Sequence, residues 1–230
     1  MKILVTGANR GIGLEMVKIA VSKQWQVKAC CRNPHVADKL TEVARMSGGL
    51  VSVHTLDVSD KAQIQALAYE LRGEAIDILI NNAGAYGSRN QQFGNVDDTD
   101  WLETFKINTI APLHMAETFV EHVALSKKKI IATVSSKMGS MSDNTSGGSY
   151  IYRSSKAALN AVVKSMSVDL APKGICCILL HPGWVKTDMG GPHAEISTRE
   201  SVMQIFNTLE NTCLDDAGSF YEIDGSLIPW

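Results

Sequence analysis

The feature that most constrains the fold is the alternation of short β-branched runs with amphipathic stretches, repeated about every 20 to 30 residues. This pattern indicates β-α-β units around a parallel sheet, with right-handed crossovers that place helices on both faces. The predicted strands are Lys2–Thr6, Gln26–Cys31, Leu50–Thr55, Ile76–Asn81, Lys129–Ser135, Gly174–His181 and Ser219–Ile223. The predicted helices are Gly11–Lys23, Val36–Met46, Lys61–Leu71, Thr99–Ser126, Tyr150–Ala171 and Thr198–Asn211. We therefore predict an α/β fold, a doubly wound parallel sheet of about seven strands in three α/β/α layers.

Composition excludes disordered and fibrous chains. The chain has 230 residues, of which 45% are hydrophobic and 20% charged, enough to bury a full core. No linker-like stretch and no internal repeat interrupts it, so we expect one domain spanning residues 1–230.

Charge and cysteine usage restrict the partners. The 22 Lys and Arg nearly balance the 24 Asp and Glu, so no basic field favours nucleic acid. No apolar run is long enough for a membrane span or signal peptide. The five cysteines include two adjacent pairs in strand-like runs and no Cys-x-x-Cys, which predicts reduced, buried thiols, a cytoplasmic protein and no metal site.

A glycine-rich turn follows the first predicted strand and leads into a helix. It reads Gly7-Ala8-Asn9-Arg10-Gly11-Ile12-Gly13. Glycines here allow a tight turn and close backbone approach, so a pyrophosphate can sit on the free N–H groups at the helix start. The alternative is a purely structural strand-to-helix turn.

The end of the second strand bears on which nicotinamide dinucleotide is bound. The run Cys30-Cys31-Arg32-Asn33 contains no acid to accept hydrogen bonds from a ribose 2′-hydroxyl. Arg32, with Arg10 in the glycine turn, can instead form charge-assisted bonds with a 2′-phosphate. The sequence thus favours NADP(H) over NAD(H), although either arginine alone is equally compatible with a solvated surface charge.

Tyr152 and Lys156 lie four residues apart, on one face of a predicted helix. An adjacent ammonium lowers the pKa of a phenol, which makes Tyr152 a candidate proton donor to a carbonyl oxygen. Ser136, at the end of the preceding strand, can hydrogen-bond the same oxygen. A nucleophilic serine is the competing hypothesis, but no Gly-x-Ser-x-Gly or partner histidine motif accompanies it. Asn108 is polar within an apolar stretch and is equally compatible with a satisfied core amide.

Three loops follow strands at their carboxyl ends, Ala85–Asp98, Lys137–Ser149 and Gly183–Ser197, where ligands bind in open α/β sheets. Their apolar side chains predict a pocket for small aromatic or aliphatic aldehydes and ketones, with ordinary loop packing as the alternative. The candidate substrate residues are Tyr86, Phe93, Met138, Met141, Trp184 and Met189.

The order of these motifs resembles that of the short-chain dehydrogenase/reductase family, which has a Rossmann fold. The resemblance covers nearly the whole chain and is strongest to the sniffer and C-factor group of carbonyl reductases. It rests on Gly7, Gly11, Gly13, Asp57, Asn81-Asn82-Ala83-Gly84, Asn108, Ser136, Tyr152, Lys156, the run His181 to Met189, Asp224-Gly225 and Pro229-Trp230.

The resemblance implies roles for these residues. Tyr152 would be the general acid, Ser136 would polarise the substrate carbonyl, and Lys156 would bind the nicotinamide ribose and lower the Tyr152 pKa. Asn108 would hold a water molecule of a proton relay. Further cofactor contacts are implied at Asp57, Val58, Asn82, Ala83, Gly84, Pro182, Gly183, Val185 and Thr187. A homodimer or homotetramer is also implied.

Two departures from the family pattern leave alternatives open. Ser136 and Tyr152 are 16 positions apart, with Gly147-Gly148 between them, a longer spacing than is common, so Ser135 is a minor alternative to Ser136. The segment after Thr187 is short, which predicts an open pocket. Two alternative functions are compatible with the sequence. One is oxidation of an alcohol, the reverse reaction, and the other is signalling or sensing by binding a dinucleotide without turnover.

Overall fold

The computed structural model describes residues 1–230 and contains one sheet of seven strands, all parallel, in the order β3-β2-β1-β4-β5-β6-β7. The strands are β1 (Lys2–Thr6), β2 (Gln26–Cys31), β3 (Val51–Thr55), β4 (Ile78–Asn81), β5 (Ile130–Val134), β6 (Cys176–Leu180) and β7 (Phe220–Tyr221). This arrangement confirms the predicted doubly wound α/β fold.

Helices cover both faces of the sheet. They are α1 (Gly11–Ser22), α2 (Asp38–Met46), α3 (Lys61–Glu70), α4 (Asp98–Phe105), α5 (Ala111–Ala124), α6 (Tyr150–Leu170) and α7 (Thr198–Asn211). Because strand side chains alternate between faces, Ile3 and Val5 of β1 join a core with α1, α2 and α7, whereas Leu4 joins a second core with α3, α5 and α6. No helix is long and apolar enough to cross a membrane.

The predicted helix Thr99–Ser126 is interrupted. A π-helical turn at Lys106–Ile110 separates α4 from α5. Pro112 lies in the first turn of α5, where its missing N–H cannot continue the i→i−4 ladder. Such π-turns frequently occur at functional sites, and this one contains Asn108.

The other differences are at element ends. The last five predicted strands are shorter than expected by one or two residues at one or both ends. Ahead of β4, for example, the Ile76 N–H donates to the carbonyl of His122, in α5, and not to a neighbouring strand. Val36 lies in a separate 3-10 turn, Pro34–Val36, ahead of α2.

The sheet reverses its winding direction at β1, which pairs with β2 on one side and β4 on the other. Ligands of open α/β sheets bind at such a switch point, beyond the carboxyl ends of the strands. The cleft described next lies there.

Candidate active site

A cleft of about 1190 Å³ lies at the carboxyl ends of the central strands. Most residues predicted to contact a dinucleotide lie on its walls: Gly7, Asn9, Arg10, Gly11, Ile12, Gly13, Arg32, Asp57, Val58, Asn82, Ala83, Gly84, Tyr152, Lys156, Pro182 and Thr187. Gly183 and Val185 lie behind the wall, where Gly183 is close to the Ile196 side chain and Val185 pairs with Ile196 through the backbone.

The glycine turn has the geometry of a phosphate cradle. Gly7 and Gly11 have positive φ, and a Cβ at Gly13 would lie 2.2 Å from the Gly7 carbonyl oxygen. Arg10 precedes α1 without capping it through its side chain, so the first N–H groups of the helix remain available to an anion. These residues fit the pyrophosphate of a dinucleotide.

The loop after β4 is fastened to β1 by side-chain hydrogen bonds. The Asn82 amide nitrogen donates to the Thr6 carbonyl at 2.8 Å, and the Thr6 hydroxyl accepts from the N–H groups of Asn82 and Ala83, both at 3.0 Å. This network fixes the cleft wall beside the glycine turn.

The end of the cleft next to β2 is basic. Arg32 is exposed at the end of β2, and Lys18 and Lys39 join it on the cleft wall. Arg10, which the sequence assigned to a 2′-phosphate, differs from that expectation, since its guanidinium pairs with the Asp188 carboxylate at 2.5 Å. Arg89 also donates to the Asp188 carbonyl at 3.3 Å, so Asp188 connects three loops across the mouth of the cleft.

Tyr152 and Lys156 are both buried on the cleft wall, in α6. Burial raises the pKa of Tyr152 to about 12, against the opposing effect of a hydrogen bond from the Ser136 side chain. Burial lowers the pKa of Lys156 to about 8. Its ammonium donates to the Val134 carbonyl at 2.9 Å and lies 5.8 Å from the centre of the Tyr152 ring. The expected lowering of the Tyr152 pKa by Lys156 is therefore not seen here, because the pKa is set by desolvation of the phenol, with smaller effects of Ser136 and Tyr86.

The two serines after β5 have different surroundings. The Ser135 hydroxyl donates to the Asn160 side-chain oxygen at 2.6 Å in the core. Ser136 instead precedes the turn Lys137–Gly139, where its oxygen accepts from the Met138 N–H at 3.2 Å, and its side chain lowers the pKa of Tyr152. Ser136 thus acts on Tyr152, whereas the Ser135 hydroxyl is engaged by Asn160, although Ser135 lines the cleft.

Asn108 lies behind the cleft wall and is fully buried. Its side-chain oxygen accepts from the Ala85 N–H, and its amide nitrogen donates to the Ala85 carbonyl, both at 2.8 Å, and to the Ser155 hydroxyl at 2.9 Å. Both ends of the amide are thus engaged by protein groups, so this side chain fastens the loop after β4 to α6.

Of the six candidate substrate residues, Tyr86 and Met189 line the cleft. The Tyr86 ring packs 4.8 Å from the Tyr152 ring, centre to centre. The other four lie elsewhere: Phe93 is 89% exposed at the tip of its loop, Met141 is 76% exposed, the Trp184 indole donates to the Gly190 carbonyl, and the Met138 carbonyl accepts from Arg153. These four residues do not line the cleft.

Comparisons with known proteins identify the family of the chain. The family model described as short chain dehydrogenase matches residues 1–197. The C-signal protein of Myxococcus xanthus is 41% identical over 167 residues, covering 73% of this chain and 100% of that protein. The chain belongs to the short-chain dehydrogenase family.

Solved structures place this short-chain dehydrogenase near the carbonyl reductases. Carbonyl reductase Sniffer of D. melanogaster is 33% identical with a TM-score of 0.93, over 100% of this chain and 99% of that one. The NADPH-bound carbonyl reductase from chicken fatty liver is 36% identical with a TM-score of 0.92, over 100% and 98%. The predicted resemblance to the sniffer and C-factor group is confirmed, and the chain is an oxidoreductase of this family.

Sequence reasoning missed several cleft residues of this short-chain dehydrogenase. Lys18, about two turns into α1, and Lys39, in the first turn of α2, line the cleft. Lys18 follows Gly11 by seven residues, so helical periodicity is the signal that points to it. Asp188 had no such signal, because its contacts join loops that are far apart in the sequence.

Proposed function

We propose that this protein reduces the carbonyl group of aldehydes and ketones to an alcohol with NADPH, with Tyr152 as the general acid. The observation that carries the proposal is the placement of Tyr152 and Lys156, both buried and both on the wall of the cleft that holds the glycine turn. A phenol is protonated at neutral pH, so Tyr152 has a proton to donate to a carbonyl oxygen bound in the cleft. NADPH, when bound, supplies the hydride.

The protein groups account for the rest of the reaction. Ser136 donates a hydrogen bond to the carbonyl oxygen and polarises it, and Tyr152 delivers its proton to that oxygen as the carbonyl carbon is reduced. The reaction leaves Tyr152 as a phenolate, which the ammonium of Lys156 stabilises from the same helix face. With a pKa of about 8, Lys156 is mainly charged at neutral pH.

The reductive direction is supported by the preference for NADP(H), because the same Tyr152 would serve alcohol oxidation as a base. NADPH is supported by the exposed Arg32 at the end of β2, by the neighbouring Lys39 and by the missing acid at that position. The chicken carbonyl reductase named above carries NADPH.

The test is NADPH consumption by the purified protein with a panel of aldehydes, quinones and diketones, and with NADH in parallel. We expect Tyr152→Phe to lower kcat by about 10²- to 10⁴-fold, the usual contribution of a positioned general acid, without weakening NADPH binding. Tyr150→Phe is the matched control, since Tyr150 is exposed on the same helix, and it should leave kcat unchanged.

Two results contradict the proposal. One is NADPH binding without turnover of any carbonyl, which is the result expected of a sensor. The other is a Tyr152→Phe variant that retains the wild-type rate.

A further inference from the structure

Gln91 is a buried polar residue, 1% exposed, next to the proposed active site. The proposed reaction gives its side chain no role. Its side-chain oxygen accepts from the Tyr152 N–H at 2.9 Å. Its amide nitrogen donates to the carbonyls of Tyr86, at 2.8 Å, and Ser88, at 2.6 Å. The amide is therefore saturated by three backbone groups of two separate segments.

The start of α6 explains why Tyr152 needs this partner. The first N–H groups of a helix have no partner within the helix and are normally capped by a preceding side chain. Ser149, which precedes α6, has a left-handed backbone (φ 48°) and makes no capping bond. Gln91 takes its place, because its main-chain carbonyl accepts from the Tyr150 N–H at 3.4 Å and its side chain accepts from Tyr152.

The same amide holds the aromatic neighbour of Tyr152. Tyr86 is fixed at its carbonyl by Gln91 and at its hydroxyl by Ser149, 2.9 Å away. Its ring packs 4.8 Å from the Tyr152 ring. One buried side chain thus sets the position of the proposed acid and of the ring beside it.

We propose that Gln91 is a positioning residue for Tyr152, a role that rests on the proposed function. Gln91 aligns the phenol with the carbonyl oxygen by capping α6 from the loop after β4. Displacing a catalytic group by about 1 Å costs about 100-fold in rate, so loss of this cap should act on kcat and leave NADPH binding intact.

The first experiment compares Gln91→Met with Gln92→Met. Both substitutions replace an amide by a thioether of similar length, but Gln92 is exposed. We expect Gln91→Met to lower kcat by about 10- to 100-fold with an unchanged Kd for NADPH, and to speed hydrogen–deuterium exchange in residues 150–155. Gln92→Met should do neither.

A second variant, Gln91→Glu, guards against a Gln91→Met protein that fails to fold. When protonated, the introduced carboxyl can still accept from the Tyr152 N–H and donate to one carbonyl. When ionised, it would face the Tyr86 and Ser88 carbonyls, near the Asp100 carboxylate that accepts from the Ser88 N–H at 2.6 Å. We expect kcat of this variant to fall as pH rises, in a range where wild-type kcat is flat; a purely structural role would give no such change.

The outcomes separate the two proposals. Wild-type protein that turns over no carbonyl overturns the proposed function, and exchange in residues 150–155 still reports on Gln91. Unchanged exchange there, or a folded Gln91→Met variant with kcat within twofold of wild type, overturns the positioning role.

Discussion

Burial of Lys156 predicts that the proposed site lowers the stability of the protein. The side chain is 5% exposed and makes one hydrogen bond, to the Val134 carbonyl. The fall in its pKa from 10.5 to about 8 corresponds to about 3 kcal/mol of destabilisation while the lysine is charged, at about 1.4 kcal/mol per pH unit. Lys156→Met removes this destabilisation. It also leaves the Val134 carbonyl without its hydrogen-bond partner, which lowers the free energy of unfolding by about 1 kcal/mol.

The variant should therefore be more stable than wild type at pH 7, by about 2 kcal/mol. Between pH 8 and 10.5 the unfolded chain binds more protons at Lys156 than the folded protein does, so the wild-type contribution rises with pH. The difference between the two proteins should shrink through this range and reverse above it.

Urea unfolding under reducing conditions, from pH 6 to 10.5, measures this difference. The buried cysteines also titrate in alkali, but they are present in both proteins, so their contributions cancel in the comparison, and the Tyr152 pKa of about 12 lies above the measured range. Lys164→Met, on the exposed side of the same helix, serves as the control and should show no trend of this kind. A pH-independent difference, or a Lys156→Met variant less stable than wild type at pH 7, would refute the reasoning.

Three further substitutions test the dinucleotide end of the cleft. Arg32→Ala should raise KM for NADPH about 10- to 100-fold, through loss of a charged hydrogen bond of about 1.5–3 kcal/mol, while KM for NADH changes little; equal effects on both would contradict the assignment. Asp188→Asn frees Arg10 and should tighten NADPH binding by up to about fivefold, since exposed ion pairs contribute about 0–1 kcal/mol; a fluorescence titration showing weaker binding would exclude this. Gly13→Ala places a methyl group 2.2 Å from the Gly7 carbonyl and should cost about 1–3 kcal/mol, seen as a lower Tm, whereas an unchanged Tm would show that the turn relaxes.

The parts of the fold that depend on local pattern were predictable from sequence. β1, β2 and α7 have the predicted bounds, because their apolar periodicity and their turn or capping residues lie within a few positions of one another. The glycine turn was found for the same reason. Its conformation is determined by the residues themselves and by the helix that follows.

The π-helical turn was not predictable from periodicity. Apolar spacing continues through residues 106–110, and the break depends on Pro112 together with the contacts of Asn108 to Ala85 and Ser155. These contacts join segments more than 20 residues apart in the chain.

The site was predictable where a residue acts through its own place at a strand or helix end, as with the Tyr152 and Lys156 pair. The site was not predictable where a long side chain has several possible hydrogen-bond or ion-pair partners in distant parts of the sequence. Arg10 pairs with Asp188, which follows it by 178 residues, and Gln91 reaches Tyr152, 61 residues later. The relative strength of burial and charge at Tyr152 likewise depends on packing that the sequence does not display.

The strand order also has a consequence for the chain as it leaves the ribosome. β1 can pair with β2 early, but its other edge waits for β4, whose Ile78 pairs with Ile3. At about 5–20 residues per second, synthesis of the intervening chain takes roughly 4 to 15 s. Throughout that interval one edge of β1 remains unpaired. Its residues Ile3, Leu4 and Val5, which are fully buried in the finished protein, therefore lie at an open apolar edge. The nascent N-terminal third should therefore depend on chaperones until β4 emerges, and a fragment ending before β4 should aggregate.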